Sequence, residues 1–335
     1  MVYDAIIIGG GIAGGSIAHA LQKQNKNILV LDSATNAASS NARGMIKPWL
    51  SLGPSPMREF YHGAYHHTLA LLEEFPQSIL RRGILQLPKD DGDIERFERA
   101  PHACGLDAGH VQFLSASEAS LRAGITITTP ALFWPLAAVI KPNLWVSALF
   151  GAAQIISDTA TSIHHDKHWH VKTNNKNYVA QKIFLATGAD FSLWENLAPK
   201  QAAALRLRKG QITHLPSSAL PSAQCAISFG HYWLPGNDGD DHILGATYEQ
   251  DINLDVTNAS HQENLGALMK MQSVMPDLPN ISLQDVTHGR SAVRVTTANH
   301  MPIMEEIKPN LWVMTGLGSR GLMSAPYLAA QKLSV

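Results

Sequence analysis

Three glycines near the start of the chain have the spacing that binds a dinucleotide. Gly9, Gly11 and Gly14 form a G-x-G-x-x-G pattern that follows a short β-branched run and precedes a helical pattern. A second buried strand then ends at Asp32. Gly9 permits a tight turn, Gly11 lets the backbone approach a pyrophosphate, and Gly14 lets helix and strand pack closely. The unit predicts a dinucleotide site with phosphates at the helix N-terminus and Asp32 on the ribose.

The glycine pattern does not decide between NAD and FAD. The segment 33–45 is small, polar and glycine-containing, and it includes Arg43 and Gly44. This composition suits a loop that wraps a ligand, and it suits a plain surface loop equally well. The identity of the cofactor therefore depends on the rest of the chain.

Two later strands also run into turns of small residues. The apolar strand 182–185 leads into Thr187 and Gly188, a turn that could return to the first sheet beside the cofactor. The strand 311–314 leads into a glycine loop that opens the last helix. This loop and the helix start comprise Gly316, Gly318, Ser319, Arg320, Gly321 and Leu322. Both ends of the chain thus carry a strand, a glycine loop and a helix.

Composition limits the class of protein. The chain has 335 residues, 45% of them apolar, and a formal net charge of -1, which indicates a folded chain of about two domains. The balanced charge argues against a nucleic-acid coat protein but leaves room for a local basic patch. No stretch has the length and unbroken apolar character of a membrane helix, and no basic region precedes the apolar N-terminus. We expect a cytoplasmic protein without a membrane partner.

Hydrophobic periodicity predicts an α/β chain, α+β overall. Parallel-type strands at both ends flank alternating strands such as 208–215, 226–234 and 241–247. We expect a discontinuous Rossmann-like cofactor domain with an inserted antiparallel β-rich substrate domain. The expected cofactor domain comprises 1–75, 142–204 and 286–335, and the expected substrate domain comprises 76–141 and 205–285.

Histidine and cysteine do not predict a metal site. His164, His168 and His170 would share one face of a strand at 163–173, but this strand belongs to a polar hairpin without a partner cysteine. The two cysteines, Cys104 and Cys225, lack a neighbouring His or Cys motif. Two cysteines cannot form a disulfide framework, so a reducing compartment and structural roles are expected.

Longer stretches resemble the D-amino-acid oxidase superfamily of FAD enzymes. The chain looks most like the oxidase domain of bifunctional enzymes that make 5-methylaminomethyl-2-thiouridine in tRNA. The matching stretches are 43–48, 207–211, 244–248, 316–322 and 325–326. The chain departs from these enzymes in lacking their preceding methyltransferase segment. It also has Asn299 and Glu305 where the family's Asp-x-x-Pro-x-x-Gly pattern has its acid and last glycine.

The resemblance implies noncovalent FAD and a place for each loop around it. The N–H groups at 318–322, at a helix start, would stabilise negative charge on the reduced flavin. The segment from Arg43 to Lys47 would lie along the flavin ring. An ordinary helix entry is the alternative for the last glycine loop.

The resemblance also suggests catalytic residues. Superfamily amine oxidases place an arginine near Arg294, and the planar guanidinium suits a substrate carboxylate. A surface arginine is the alternative. Tyr232 and Tyr248 could close the pocket or donate a hydroxyl, and positions in the core are the alternative for both.

By resemblance, we expect oxidation of a carboxylate-bearing secondary amine, the carboxymethylaminomethyl group of a tRNA wobble uridine. The alternatives are a free glycine, sarcosine or D-amino-acid oxidase or dehydrogenase, and a flavin-binding protein without turnover. The expected partners are a small amine or tRNA, with a separate methyltransferase for any missing step. Arg206, Arg208 and Lys209 are the densest basic cluster and the candidates for RNA phosphates, with a solvated strand edge as the alternative.

Overall fold

The structure is a computed structural model that describes residues 1–33, 37–236 and 239–333. Residues 34–36, part of the segment expected to wrap a ligand, lie outside the described ranges. The strands are β1 (Val2–Ile8), β2 (Ile28–Asp32), β3 (Gly44–Ile46), β4 (Ile79–Gln86), β5 (Gln112–Leu114), β6 (Ala131–Ile140), β7 (Gln154–Ser157), β8 (Ala160–His165), β9 (Trp169–Thr173), β10 (Asn177–Leu185), β11 (Leu205–Leu215), β12 (Ala226–Ser228), β13 (Tyr232–Leu234), β14 (His242–Gly245), β15 (His288–Thr297), β16 (Ile303–Lys308) and β17 (Leu311–Thr315). The helices are α1 (Ile12–Gln22), α2 (Pro56–Glu74), α3 (Asp91–Ala103), α4 (Ala116–Ala123), α5 (Pro142–Phe150), α6 (Pro199–Ala203), α7 (Asn258–Met269) and α8 (Gly321–Leu333).

The first sheet has a parallel centre in the order β17-β10-β1-β2-β7. Its strands are apolar on both faces because both faces are covered. Ile7 packs with α1, α5 and α8 on one face, whereas Ile6 and Ile8 pack with Trp169 of the β8–β9 hairpin on the other. The central position of β10 aligns Ile8, Leu185 and Val313, so the loops after three strands meet at one edge.

The second sheet follows the order β15-β11-β14-β13-β12-β4-β6-β3 and is antiparallel except between β12 and β4. Short strands with buried apolar faces pack against α7 on one side, with Trp233 and Leu265 in one shared cluster. Trp134 and Phe97 belong to the cluster that includes α3. The mixed α/β class with an antiparallel substrate sheet is confirmed.

The sheet pairing differs from the expected domain division at two places. β15 lies within 286–335 but pairs along its whole length with β11, and β3 lies within 1–75 but pairs with β6. Both strands therefore belong to the second sheet. Alternating strands reveal that they need partners, but their sequences do not specify which strand provides them.

Two local predictions change in detail, and the first is that the strand expected at 226–234 is two antiparallel strands, β12 and β13. The strand expected at 163–173 is two strands, because Asp166 Oδ1 accepts from the amides of Lys167 and His168 and closes a tight turn. Of the helices in the described ranges, none combines the length and the apolar character that crossing a membrane requires.

Candidate flavin and substrate site

The first glycine loop is packed too tightly for side chains at two positions. Gly9 has a φ of +120°, and a Cβ there would lie 2.3 Å from the carbonyl oxygen of Ala186. A Cβ at Gly14 would lie 1.9 Å from the carbonyl oxygen of Gly9. Helix α1 thus packs at Gly14 directly against the turn after β1, and that turn packs at Gly9 against the turn after β10. These contacts account for Gly9 and Gly14 through packing alone.

Gly11 and Asp32 have the geometry that a dinucleotide requires. A Cβ at Gly11 would meet Ser39 Oγ at 3.3 Å, and no backbone atom comes closer. Gly11 is the N-cap of α1, and the Ser39 hydroxyl accepts from the first helical amide, that of Ile12, at 3.1 Å. Asp32 Oδ1 accepts from the Gly10 amide at 3.0 Å, which holds the carboxylate at the end of β2. The cradle at Gly11 and the fixed acid fit a pyrophosphate and a ribose respectively.

The two other predicted turns lie at the same edge of the first sheet. Gly188 has a φ of +62°, and no atom lies within 4 Å of a Cβ built there. Thr187 Oγ1 donates to the carbonyl of Asp190 and so closes this turn. Gly316 and Gly318 have φ values of +72° and +55°, which favour glycine. The glycine spacing therefore marks real left-handed turns that bring the loops together.

A cleft of about 180 Å³ opens beside the C-terminal glycine loop. The predicted residues Gly316, Gly318, Ser319, Arg320 and Tyr248 line it. Sequence analysis missed five other residues of its wall, namely Trp49, Tyr61, Thr296, His300 and Leu317. A single β-bridge between Thr296 and Leu317 ties the loop to β15.

Arg320 is the main cationic group of this cleft. Its guanidinium stacks on Trp49 at 4.2 Å and lies 5.5 Å from the ring of Tyr61. Burial lowers the pKa of Arg320, and the Tyr61 phenol opposes this shift. Across the described ranges, no acidic side chain forms an ion pair with Arg320. The cleft therefore contains a partly buried positive charge available for an anionic group.

The aromatic wall behind this charge is held rigidly. Trp49 and Tyr61 stack with centroids 5.6 Å apart and planes at 17°. The Tyr61 hydroxyl donates to the carbonyl of His300 at 2.6 Å, and burial raises its pKa. This hydrogen bond joins α2 to the segment before β16, so Tyr61 is a neutral structural donor at neutral pH.

The predicted catalytic residues occupy three different surroundings. Arg294 shares a face of β15 with the cleft residue Thr296, and its Nη1 donates to the carbonyl of Thr247 at 3.0 Å. Tyr232 is surrounded by protein, and burial raises its pKa. Tyr248 is half exposed at the mouth of the cleft. Only Tyr248 of these three lines the cleft wall.

Glycine permits two close approaches around these groups. The guanidinium of Arg294 lies flat over Gly210, where a Cβ would be 2.1 Å from Nη1. The Tyr232 hydroxyl sits against Gly245, where a Cβ would be 2.7 Å away. Both glycines therefore make room for the polar side chains on neighbouring strands.

Arg43 differs from the expectation that it lies along the flavin ring. Its guanidinium is buried and donates to the carbonyls of Pro235 at 3.0 Å and Asp241 at 2.8 Å. It also pairs with Asp240 at 3.2 Å. These bonds anchor the segment after β2 to the second sheet. Gly44, by contrast, lies against Leu322 at the start of α8, where a Cβ would be 2.4 Å from Cδ1.

A buried lysine lies two residues before Trp49. Lys47 Nζ donates to Gln86 Oε1 at 2.6 Å and lies 5.4 Å from the ring of Trp134. Burial lowers the pKa of Lys47 to about 7, with further lowering by the charge of Arg320. Lys47 ends the segment 43–47 that the resemblance places along the flavin ring, and it is the one charged residue of the otherwise apolar run 45–50.

The basic cluster expected to meet RNA is only partly available. Lys209 is buried and pairs with Glu249 at 3.4 Å, so it cannot reach a phosphate. Arg206 is exposed, and the Arg208 guanidinium lies 5.9 Å from the ring of Tyr248. Lys209 is thus removed from the predicted RNA contacts because the strand turns it inward, while Arg206 and Arg208 remain.

The histidines of the hairpin and the cysteines show no ligand arrangement. His164 and His170 stack with centroids 4.7 Å apart, and His168 lies in the intervening turn. Cys104 and Cys225 are buried, and burial raises the pKa of Cys225 to about 11. Both cysteines are therefore unreactive core residues.

The fold and these loops define a flavin-dependent oxidoreductase. The chain belongs to the FAD-dependent oxidoreductase family, whose model matches residues 4–331. It is 30% identical over 97% of its length to the tRNA 5-methylaminomethyl-2-thiouridine biosynthesis bifunctional protein MnmC of Idiomarina loihiensis, covering 54% of that protein. It is also 30% identical over 96% of its length to MnmC of Caulobacter vibrioides, covering 52% of it. The chain thus spans about half the length of these relatives.

Solved structures with the same fold are more distant in sequence. Iminodiacetate oxidase from Chelativorans sp. BNC1 aligns with a TM-score of 0.77 at 23% identity, over 98% of this chain and 94% of that one. Glycine oxidase from Geobacillus kaustophilus aligns with a TM-score of 0.77 at 20% identity, over 99% of this chain and 94% of that one. These structures support the fold. The cradle at Gly11 and the acid Asp32 fit the FAD that the family requires.

Proposed function

We propose that the chain oxidises a secondary amine that carries a carboxylate. We further propose that its substrate is the carboxymethylaminomethyl group of a tRNA wobble uridine. The observation that carries the first step is the partly buried guanidinium of Arg320, which stacks on Trp49 and faces the cleft beside the glycine loop. An uncompensated, partly buried cation in a cleft favours an anionic ligand, and the fork of arginine suits a carboxylate.

The reaction requires little acid–base machinery from the protein. FAD, when bound, accepts a hydride from the C–H beside the amine nitrogen. The substrate nitrogen loses a proton, and the resulting imine reacts with water to release glyoxylate and leave an aminomethyl nucleoside. Arg320 would hold the carboxylate, while Trp49 and Tyr61 keep the guanidinium in plane and exclude water from it. The protein thus contributes orientation and charge.

The mouth of the cleft supports a nucleic-acid substrate. Tyr248 is half exposed there, and the guanidinium of Arg208 lies 5.9 Å from its ring. An exposed aromatic ring next to an arginine is the kind of surface on which an unpaired base stacks. Arg206, exposed two residues earlier on β11, is positioned for a backbone phosphate. MnmC, the relative named above, is a tRNA biosynthesis protein by its name.

The substrate is tested by anaerobic bleaching of the flavin. The panel contains tRNA bearing the carboxymethylaminomethyl group, the free modified nucleoside, glycine, sarcosine and D-alanine. We expect tRNA to reduce the flavin at the lowest concentration and the nucleoside to react at higher concentration. If glycine or sarcosine outcompetes tRNA, the chain is a free amino-acid oxidase. Absence of bleaching by every amine would indicate a flavin-binding protein without turnover.

Matched arginine variants test the carboxylate contact. Arg320→Ala should raise the substrate concentration for half-maximal bleaching about ten- to a hundredfold, the loss of one charge-assisted contact. Arg320→Lys should recover only part, because an ammonium lacks the planar fork. Arg294→Ala is the comparison, since its guanidinium bonds Thr247. A larger loss in Arg294→Ala than in Arg320→Ala would transfer the carboxylate contact to Arg294.

A further inference from the structure

Three strands of the second sheet bring metal-binding side chains to one edge. His214 on β11 lies directly opposite His288 on β15 in the antiparallel register. Asp241 immediately precedes β14, which pairs with β11 on its other side, where His242 lies opposite Leu215. Cross-strand neighbours of this kind hold their side chains close together on one face. The fold thus brings together residues that are 27 to 74 positions apart in the sequence.

The distances are close to those of a coordination site. The ligand atoms of the three residues all lie within 4.8 Å of one another. Asp241 Oδ2 is 4.0 Å from His214 Nδ1 and 3.6 Å from His288 Nδ1. Ligands around a tetrahedral metal, at about 2.0–2.1 Å each, stand roughly 3.3 Å apart. The two His–Asp separations must therefore shorten by about 0.3 and 0.7 Å, and the widest separation in the group by up to about 1.5 Å.

We propose that His214, Asp241 and His288 bind a divalent transition-metal ion of the Zn²⁺ class, with water completing the coordination. Two imidazole nitrogens and one carboxylate oxygen are a donor set that such ions favour. Within the described ranges, these three side chains are the one group of three or more converging His, Cys, Asp or Glu ligands. The site lies outside the residues that line the cleft.

A second observation is the state of His214. Its side chain is only 8% exposed, and Asp241 Oδ2 lies 4.0 Å from its Nδ1, too far for a hydrogen bond. Among the residues that the structure describes, no hydrogen bond to either ring nitrogen of His214 is present. The ring nitrogens of His214 are not fully enclosed, and an imidazole nitrogen without a hydrogen bond from the protein is available to coordinate a metal ion.

The other two ligands have complementary surroundings. Thr287 Oγ1 donates to Asp241 Oδ2 at 2.6 Å, which orients the carboxylate as outer hydrogen bonds do at metal sites. His288 stacks on His214 with centroids 3.8 Å apart and planes at 25°. Nearly parallel rings do not aim their nitrogens at one point, so binding requires His288 to turn. Its side chain is 59% exposed and has the space to do so.

The site has a defined connection to the rest of the protein. The main-chain carbonyl of Asp241 accepts from Arg43, which holds the segment after β2 on the second sheet. Arg290, two residues after His288 on β15, donates to the carbonyl of Ala37 in that segment. A metal ion would therefore clamp the strand ends to which this segment is anchored. We expect a structural effect on stability, with little direct effect on the cleft.

Zn²⁺ binding by the FAD-loaded, tag-free chain tests the proposal. Equilibrium dialysis should find one high-affinity Zn²⁺ per chain. Co²⁺ should bind competitively and give the visible absorption of a low-coordinate nitrogen and oxygen site. His288→Ala changes an exposed side chain and should weaken Zn²⁺ at least a hundredfold, and Asp241→Asn should weaken it as well. His164→Ala removes a stacked histidine from the β8–β9 hairpin and is the matched control.

The outcomes separate cleanly. Loss of Zn²⁺ in His288→Ala and Asp241→Asn, with retention in His164→Ala, supports the site. Zn²⁺ that binds only above about 100 μM, or that binds equally to wild type and His288→Ala, overturns it. If all variants keep their melting temperatures without metal, a folding defect does not explain the loss. The measurement does not depend on amine turnover, so it stands apart from the proposed function.

Discussion

Substitutions at Gly14 and Gly11 should separate packing of the fold from binding of the cofactor. Alanine at Gly14 would place its Cβ 1.9 Å from the carbonyl oxygen of Gly9, where no real Cβ contact exists. Alanine at Gly11 would place its Cβ 3.3 Å from Ser39 Oγ, the far end of a side chain. The same methyl group is therefore incompatible with the apo structure at one position and tolerated at the other.

The magnitude follows from the two contacts. To restore an ordinary separation, α1 and the turn after β1 must move apart by more than an ångström, and overpacking of this kind costs about 1–3 kcal/mol or more. Alanine regains about 1 kcal/mol of helix propensity over Gly14. The net loss for Gly14→Ala is thus up to about 2 kcal/mol, roughly a 3 °C fall in melting temperature for a chain of this length. Gly11→Ala should change the apo melting temperature by only about 1 °C.

Gly11→Ala, which should hardly change the stability of the apo chain, is the substitution that should weaken FAD binding. Gly11→Ala should weaken FAD at least tenfold, about 1.4 kcal/mol, because the methyl group stands where the pyrophosphate approaches the backbone. The assay is thermal unfolding of the FAD-free chain together with titration of flavin fluorescence quenching. Normal FAD affinity in Gly11→Ala would show that the phosphates lie elsewhere. An unchanged apo melting temperature in Gly14→Ala would refute the packing argument.

Three further predictions concern charge. The double variant Arg206→Ala/Arg208→Ala should lower the slope of log tRNA affinity against log salt concentration by about one to two units. Lys209→Ala should mainly destabilise the chain, since Lys209 is buried with Glu249. The test is tRNA affinity measured against salt concentration for both variants. Lys47→Met should stabilise the apo chain by roughly 1–3 kcal/mol at pH 6, because burial lowers the pKa of Lys47 to about 7 and the lysine is therefore charged and costly to bury below pH 7. The gain should shrink as the pH rises toward 10, since the folded chain then holds the lysine neutral. Urea unfolding at the two pH values measures the difference. Burial lowers the pKa values of His19, His62 and His67, so below pH 6.5 the unfolded chain binds protons that the native chain does not bind. The apo melting temperature should therefore fall by roughly 5 °C or more between pH 7 and pH 5. A melting temperature that does not change over this range would contradict the view that these histidines are buried in their neutral form.

Local sequence signals predicted the cofactor loops well. Gly9 and Gly14 are required by atoms that lie a few residues away or across one strand pair, and Gly316 and Gly318 adopt left-handed backbone in the glycine loop that the sequence predicted. Strand, turn and helix follow from neighbours along the chain, so periodicity and glycine placement are sufficient to locate them. The family resemblance supplied the cofactor, which the glycine pattern alone left open.

The partners of the charged side chains could not be predicted in this way. Lys209 faces inward and meets Glu249, 40 residues later, only because β11 pairs with the segment after β14. Arg43 donates to the carbonyls of Pro235 and Asp241, 192 and 198 residues later in the sequence. Trp49 contacts Arg320, which is 271 residues away in the sequence.

Sequence by itself determined the glycine turns, the strands β1, β2, β10 and β17 beside them, and the first and last helices, but it did not predict β15 or β16. Tertiary structure alone decided that Arg43 anchors a loop, that Arg320 is the charge exposed to the cleft, and that His214, Asp241 and His288 meet. The physical reason is that strand pairing depends on burial and register summed over the whole sheet, whereas turn and helix formation depend on a few adjacent residues.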